Sequence, residues 1–243
     1  MHTHPFRLDG KTILVTGASS GIGRQVALSC ARMGATIIAT GRNEARLAAL
    51  HEELGGAPHR VVSADLSLAE GIESLTEGIG SIHGVVHSAG VQRLFPVKLL
   101  SEKALRSLLD INFVAPVMLT QRLLHRNTIV PGASIVFVSS SSANSGTVGV
   151  GPYAASKAAL HGLMRCLALE QAKRQIRVNC IVPSAVETPL WDPAQLEAQR
   201  ARHPLGLGRP DDVANATIFL LSDASRWVTG TELNLDGGVV LVS

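Results

Sequence analysis

The chain has 243 residues, a formal net charge of +3, and 46% hydrophobic but only 3% aromatic residues. Such a composition can fill a sizeable core with aliphatic side chains. It argues against a nucleic-acid-binding protein, because no run of about five Lys or Arg residues is present. No uncharged apolar segment reaches the roughly 18 residues of a membrane helix, and the N-terminus lacks the apolar segment of a signal peptide.

Strand-length apolar segments alternate along the chain with amphipathic segments of helix length. The predicted strands are 11–16, 35–40, 61–64, 84–88, 134–139, 176–182 and 231–235. The predicted helices are 21–33, 43–54, about 101–126, 153 to about 173, and about 211–221. This alternation predicts an α/β fold with a doubly wound, mostly parallel seven-stranded sheet and helices on both faces. No linker divides the chain, so we expect residues 1–243 to form a single domain.

The cysteines and histidines show no pattern of metal ligands. Cys30, Cys166 and Cys180 lie in apolar segments without CxxC spacing, which predicts buried, reduced thiols in a cytoplasmic protein. The nine histidines are scattered, so no metal site is predicted. His125 and His161 fall on predicted helices, where we interpret them as surface or core-edge groups.

The stretch VTGASSGIGR, residues 15–24, connects the first predicted strand to the first predicted helix. Its glycines remove the Cβ atoms that would keep a ligand away from the backbone, and a helix N-terminus favours a pyrophosphate. A plain turn is the alternative, but the flanking strand and helix favour dinucleotide binding. The predicted phosphate contacts are Gly17, Ser19, Ser20, Gly21, Ile22 and Gly23.

From the TGxxxGxG spacing of this stretch onward, the chain resembles the short-chain dehydrogenase/reductase family. Matching motifs follow in family order over almost the whole chain: Asp65-Leu66, Ala89-Gly90, Asn112, a serine after the fifth strand, Tyr153-Ala-Ala-Ser-Lys157 and Arg177-Val-Asn-Cys-Ile-Val-Pro183. The resemblance implies a Rossmann-type fold and hydride transfer between a nicotinamide and a ketone or secondary alcohol. Chain length, VETPL at 186–190 and GRPDDV at 208–213 resemble the 3-oxoacyl-(acyl-carrier-protein) reductase branch.

The end of the second predicted strand favours NADP(H) over NAD(H). The sequence there is ATGRN, with neutral Gly41 followed by Arg42. A guanidinium can bind a 2′-phosphate through two hydrogen bonds, whereas an acidic side chain would repel it. A surface-loop role for Arg42 is the alternative. A second basic residue that the family often has near the glycine loop is absent.

The resemblance extends the cofactor site to other loops. It implies that Asp65 accepts a hydrogen bond from the adenine amino group, with Leu66 beside the ring. Thr188 would meet the nicotinamide carboxamide. The remaining residues that it places at the cofactor are Ala89, Gly90, Asn112, Tyr153, Lys157 and Pro183.

Tyr153 and Lys157 are four residues apart on a predicted helix and therefore lie on one face. Tyr153 is the chain's single tyrosine and follows Gly151-Pro152, where proline favours a helix start. A phenol with a pKa near ~10 exchanges a proton poorly at neutral pH, and a nearby ammonium would lower that pKa. Ordinary helix surface is the alternative, but within the resemblance the pair is catalytic.

The resemblance places the catalytic serine at Ser140, where it would polarise the substrate carbonyl. Ser139, Ser141 and Ser142 are adjacent, so a shift of one position would select another serine. Asn112 matches a helix asparagine that holds a water in the proton relay to Lys157.

Two positions depart from the family pattern. His87-Ser88 precede Ala89-Gly90 where the family usually has two asparagines, so an amide that braces the sheet is replaced. Ser184 follows Pro183 where the family has glycine, so that loop is expected to differ in shape.

Residues 184–207 fall where the family places its substrate lid, and Leu190 and Trp191 are candidates for an apolar pocket. A 3-oxoacyl thioester is the preferred substrate, with a small or sugar-derived ketone as the alternative and a non-catalytic cofactor sensor as a further one. Candidate docking residues for acyl carrier protein are Arg126, Lys173 and Arg174. The terminal segment from Trp227 resembles a family interface and implies a homotetramer, with a dimer as the alternative.

Overall fold

A seven-stranded parallel sheet forms the centre of the protein, in a computed structural model that describes residues 4–239. The strands are β1 (Thr12–Thr16), β2 (Thr36–Gly41), β3 (Arg60–Ser63), β4 (Ile82–His87), β5 (Ile129–Val138), β6 (Arg177–Pro183) and β7 (Glu232–Leu235). The helices are α1 (Gly21–Arg32), α2 (Glu44–Glu53), α3 (Ala69–Thr76), α4 (Glu102–Leu109), α5 (Ala115–His125), α6 (Gly151–Gln171), α7 (Pro193–Arg200) and α8 (Pro210–Leu221). The strand order is β3-β2-β1-β4-β5-β6-β7, and every neighbouring pair is parallel. The predicted single-domain, doubly wound α/β fold is confirmed.

Alternating apolar residues of the strands bury both faces of the sheet. In β1, Ile13 and Val15 pack into a core with α1 and α8, whereas Leu14 faces a second core with α5 and α6. The strand order reverses between β1 and β4. In a doubly wound sheet, such a reversal opens a crevice at the carboxyl ends of the strands, where ligands bind.

The predicted helix over 101–126 is interrupted in the structure. α4 and α5 are joined by a π-helical turn at Asp110–Val114, in which the Ala115 N–H donates to the Asp110 carbonyl. Two helices were not predicted. α3 has only 8 residues, and α7 buries none of its residues, so neither carries a long apolar period. No helix between residues 4 and 239 is long and apolar enough to cross a membrane.

Candidate active site

A cavity of about 680 Å³ opens at the carboxyl ends of β1 to β6. It brings together nearly all of the predicted site residues. Those that line it are Gly17, Ser19, Ser20, Gly21, Ile22, Gly23, Arg42, Asp65, Leu66, Ala89, Gly90, Ser140, Tyr153, Lys157, Pro183 and Thr188. Asn112 lies behind the wall, and a Cβ on Gly90 would come within 3.2 Å of its Oδ1.

The glycine loop is shaped by contacts within the protein as well as by its opening to the cavity. Gly17 has φ +66°, and a Cβ there would lie 2.7 Å from Ala89 Cα. A Cβ on Gly23 would collide with the Gly17 carbonyl oxygen. These two glycines therefore permit close packing of the loop on itself and on the next loop. The Ser20 side chain does not cap α1, so the hydroxyl is not committed to the helix N-terminus.

Two arginines lie at the β2 end of the cavity. Arg42 follows β2, and Arg46 of α2, four residues later, also lines the cavity. Arg46 was not identified from the sequence, although its i+4 spacing from Arg42 is visible there. Asp65 Oδ1 accepts from the Ser67 hydroxyl at 2.7 Å and from its N–H at 3.0 Å. The Ser67 hydroxyl and, more weakly, Arg42 hold the pKa of Asp65 below its usual value despite partial burial.

Lys157 is buried, and its ammonium donates to the Val138 carbonyl oxygen at 2.8 Å. Burial lowers the pKa of Lys157 to about 8. Burial also raises the pKa of Tyr153, while the nearby Ser140 hydroxyl lowers it. The expected lowering by Lys157 is not seen in this structure, in which the ammonium is bonded to Val138.

The four consecutive serines take different environments. Ser139 Oγ lies 2.7 Å from His161 Nε2 and 3.2 Å from the Lys157 carbonyl oxygen, and its one proton can be donated to either. Ser140 Oγ accepts from the Ser142 N–H at 3.2 Å, which leaves its own proton free to donate. Among the four, Ser140 is the serine that acts on the pKa of Tyr153.

Asn112 lies in the π-helical turn, and its side-chain amide is committed to the protein. Its Oδ1 accepts from the Val91 N–H, and its Nδ2 donates to the Val91 carbonyl, both at 2.9 Å, and to Ser156 Oγ at 3.0 Å. These bonds fix the loop after β4 against α6. π-helical turns inside α-helices occur frequently at functional sites.

His87 braces the sheet where the family has an amide. Thr120 Oγ1 donates to the Pro116 carbonyl at 2.7 Å, so it must accept the proton of His87 Nε2, 2.9 Å away. The ring also stacks on Phe137, with centroids 4.9 Å apart. Burial lowers the pKa of His87 to about 3, so the imidazole is neutral.

Ser184 does not require the backbone conformation of a glycine. Asn127 and Gln175 are the non-glycine residues with positive φ in the described part of the chain. His203 Nδ1 donates to the Gln199 carbonyl at 2.7 Å, so its Nε2 accepts from the Ser184 hydroxyl at 2.8 Å. This bond joins the two ends of the segment 184–207.

Polar and apolar side chains both line the outer part of the cavity. One face of α7 and the turn after it present Gln195, Gln199 and Arg202 to the cavity, at spacings that place side chains on one helix face. These residues were not identified from the sequence, although their i, i+4, i+7 spacing is visible there. The apolar lining consists of Leu94, Val148, Val150, Leu190 and Trp191.

The proposed docking residues for a carrier protein lie away from the cavity. Arg126 follows α5, and Lys173 and Arg174 follow α6. Both helices lead into the amino ends of the next strands, which form the opposite edge of the sheet. Arg174 also donates to the Ile129 carbonyl at 2.6 Å. These three residues do not line the cavity of their own subunit, and their role in carrier docking stays a prediction.

The burial of the cysteines and of His161 differs in part from the predictions. Cys30 and Cys180 are buried, and burial raises the pKa of each thiol to about 12. Cys166 is exposed, contrary to the prediction, because its position on α6 faces away from the sheet. His161 is buried rather than at the surface. The described residues contain no group of three or more metal-ligating side chains.

Comparisons with known proteins agree with this geometry. Residues 17–240 match the family described as enoyl-(acyl carrier protein) reductase. The chain is 35% identical to 3-oxoacyl-(acyl-carrier-protein) reductase FabG of Thermotoga maritima, over 97% of this chain and 100% of that protein. It is 36% identical to D-threitol dehydrogenase of Mycolicibacterium smegmatis, over 97% and 95%. The chain belongs to the short-chain dehydrogenase/reductase family.

A solved structure has nearly the same backbone. A crystal structure from Beutenbergia cavernae, described as a candidate NAD(P)-dependent gluconate 5-dehydrogenase with NADP bound at low occupancy, has a TM-score of 0.88 and 33% identity. The alignment covers 98% of this chain and 100% of that one. Members of the family are oxidoreductases that use a nicotinamide cofactor on small-molecule substrates, and this chain is an enzyme of that kind.

Proposed function

We propose that this enzyme interconverts a ketone and a secondary alcohol with NADP(H), with Tyr153, Ser140 and Lys157 at the reacting centre. The observation that carries the proposal is that these three side chains line the same cavity as the glycine loop. Tyr153 would donate a proton to the substrate oxygen, and Ser140 would donate a hydrogen bond to it. The nicotinamide, when bound, supplies or accepts the hydride.

The residues at the β1 and β2 ends fit a phosphorylated dinucleotide. The α1 N-terminus faces the cavity with no acidic side chain in its first turn, and its N–H groups suit a pyrophosphate. Arg42 and Arg46 together offer two guanidinium groups for a 2′-phosphate. Asp65 keeps one carboxylate oxygen for the adenine, since the bonds from Ser67 go to Oδ1.

The cofactor proposal is tested by replacing Arg42 with alanine. We expect the Kd for NADPH to rise about tenfold, because a charge-assisted hydrogen bond contributes about 1.5 kcal/mol or more. The Kd for NADH should change little. Arg226→Ala, an exposed arginine outside the cavity, is the control. Equal losses for both cofactors would contradict a role in 2′-phosphate binding.

The chemistry is tested with Tyr153→Phe, which removes only the hydroxyl. Oxidation of NADPH by a ketone should fall at least about 100-fold, the contribution of a positioned general acid, while NADPH still binds. Turnover that survives in Tyr153→Phe would refute the assignment. The side chains of Lys157 and Asn112 would support Tyr153 by placing charge and by fixing the loop after β4.

The apolar lining of the outer cavity supports a 3-oxoacyl thioester, the substrate predicted from the sequence. Leu94, Val148 and Leu190 are exposed at its rim, where they can contact an acyl chain. The similarity to the Thermotoga maritima enzyme supports the same substrate class. Acyl carrier protein would then be the partner, approaching from the cavity side of the molecule.

A hydroxylated ketone is the second candidate, favoured by the polar face of α7. Gln195 and Gln199 can hydrogen-bond substrate hydroxyls, and relatives include D-threitol dehydrogenase. Gln199→Leu and Val148→Ser separate the two candidates. For a hydroxylated ketone, Gln199→Leu should raise KM about fivefold, the effect of about one lost hydrogen bond, and Val148→Ser should not. For a thioester, the pattern should be reversed.

We also propose that residues 184–207 form the substrate lid, since Thr188, Trp191 and Gln199 of this segment line the cavity. Exposed Leu169 and Trp227, at 80% and 89% of their maximum accessibility, support a homo-oligomer such as the predicted tetramer, because large exposed apolar groups mark interaction sites. Light scattering would give its size. The three free thiols support the predicted cytoplasmic location, which cell fractionation would test.

A further inference from the structure

Three buried or half-buried side chains form a polar chain that the proposed reaction does not use. Ser139 follows β5, His161 lies on α6 and Glu232 begins β7. His161 Nε2 lies 2.7 Å from Ser139 Oγ, and His161 Nδ1 lies 3.1 Å from Glu232 Oε2. Ser139 and His161 are 2% and 4% exposed, so the bond between them is shielded from water.

The chemistry of each group determines which atoms donate and which accept in the hydrogen bonds between Ser139, His161 and Glu232. The Glu232 carboxylate can only accept, so His161 carries a proton on Nδ1. In the neutral ring Nε2 then accepts the Ser139 hydroxyl proton. In the charged ring Nε2 donates to Ser139, whose proton turns to the Lys157 carbonyl 3.2 Å away. Ser139 is therefore bonded to α6 in either protonation state.

Burial favours the neutral form of the His161 ring, and the two neighbouring charges act in opposite directions. Burial is the largest effect and lowers the pKa of His161; Arg165 lowers it further, while Glu232 raises it. Arg165 is largely exposed and donates to the other oxygen of Glu232 at 3.1 Å. It therefore touches the carboxylate without forming part of the chain to Ser139.

These hydrogen bonds hold the residues on both sides of Ser140. Ser139 immediately precedes Ser140, and Asn144, four residues after it, donates to Glu232 Oε2 at 3.1 Å. Serine, histidine and glutamate also form hydrolytic triads. Ser139 is nearly inaccessible and its hydroxyl points to α6, so we assign it no nucleophilic role.

We propose that His161 is a positioning residue that, through Ser139 and Glu232, holds the segment 139–144 so that the Ser140 hydroxyl meets the Tyr153 hydroxyl. The inference rests on the proposed function in taking Ser140 and Tyr153 as the reacting groups. It adds a requirement for three residues other than the reacting groups. It also predicts that replacing any of them changes the ionisation of Tyr153.

Tyr153 can report on this geometry without any substrate, because it is the single tyrosine of the chain. Its ionisation can be followed by phenolate absorbance after a rapid jump to high pH. The Ser140 hydroxyl lowers the pKa of Tyr153, so losing this hydroxyl should raise the midpoint by about 0.5 to 1 pH unit. We expect this rise in Ser140→Ala, in His161→Leu and in Ser139→Ala, which keeps the packing. Arg165→Gln should leave the midpoint unchanged.

A double-substitution cycle separates positioning from general loosening. If His161 acts through Ser140, then His161→Leu should cause no further rise in the Ser140→Ala background. Unchanged midpoints in the single variants, or equal rises in both backgrounds, would overturn the proposal. If His161→Leu does not fold, Ser139→Ala gives the same comparison. Absence of turnover in the wild type with every ketone would refute the proposed function but leave this result standing.

Discussion

Replacing Lys157 by methionine should make the folded protein more stable at pH 7 while abolishing turnover. Burial lowers the pKa of Lys157 from its ordinary 10.5 to about 8, so the folded protein binds the proton more weakly than the unfolded chain does. Each pH unit of that difference corresponds to about 1.4 kcal/mol, which gives a cost of about 3 kcal/mol. The lost bond to Val138, at 2.8 Å, offsets about 1 kcal/mol. The net gain in the free energy of unfolding is about 2 kcal/mol.

The sign of this gain depends on pH. Between about pH 8 and 10.5 the unfolded chain holds a proton on Lys157 that the folded protein has released, so the stability of the wild type rises with pH through that window. The advantage of Lys157→Met should therefore be complete below about pH 8, fall to zero near about pH 9.5 and reverse by about pH 10.5. Urea unfolding at pH 7 and pH 10, at one protein concentration, measures it.

Lys173→Met, an exposed lysine just beyond the same helix, is the matched control and should show no pH-dependent difference from the wild type. A Lys157→Met protein that is less stable at pH 7, or whose difference from the wild type is equal at both pH values, would refute the reasoning. The Val138 carbonyl would then fully compensate the buried ammonium. The expected result would mean that stability is sacrificed to keep a positive charge beside the cavity.

Three further perturbations address the glycine loop, the lid and the sheet. Gly23→Ala should raise the Kd for NADPH at least about tenfold, since the added methyl group meets a carbonyl of the glycine loop. Gly162→Ala is the control, because a Cβ there lies in open space, and its Kd should not change. Equal affinities of the two variants would contradict the packing argument. Ser184→Ala should lower the free energy of unfolding by about 1 kcal/mol, because buried His203 loses its hydrogen-bond donor. Thermal unfolding measures this loss, and an unchanged unfolding temperature would contradict it. His87 becomes harder to protonate on folding, with its pKa lowered to about 3, so the wild type loses stability as pH falls from 6.5. Between pH 7 and pH 4 the His87→Leu variant should lose about 3 kcal/mol less free energy of unfolding than the wild type does. Equal losses in the two proteins would contradict this prediction.

Much of the fold and of the candidate site could be predicted from the sequence because the signals are local. The strands carry continuous apolar runs, and the glycine loop, Asp65, Ala89-Gly90 and Pro183 each follow one of them. In a parallel sheet all strands end at one edge, so residues after successive strands converge there without further information. The i, i+4 spacing likewise places Tyr153 beside Lys157 on one helix face.

Tertiary structure alone decided the partners of buried polar groups. Ser139, His161 and Glu232 come from three separate parts of the chain and have no common sequence pattern. They hydrogen-bond to one another because burying a polar group without a partner is costly. The same need pairs Lys157 with Val138 rather than with Tyr153. Apolar periodicity records which face of an element is buried, but which polar atoms meet inside depends on how the elements pack.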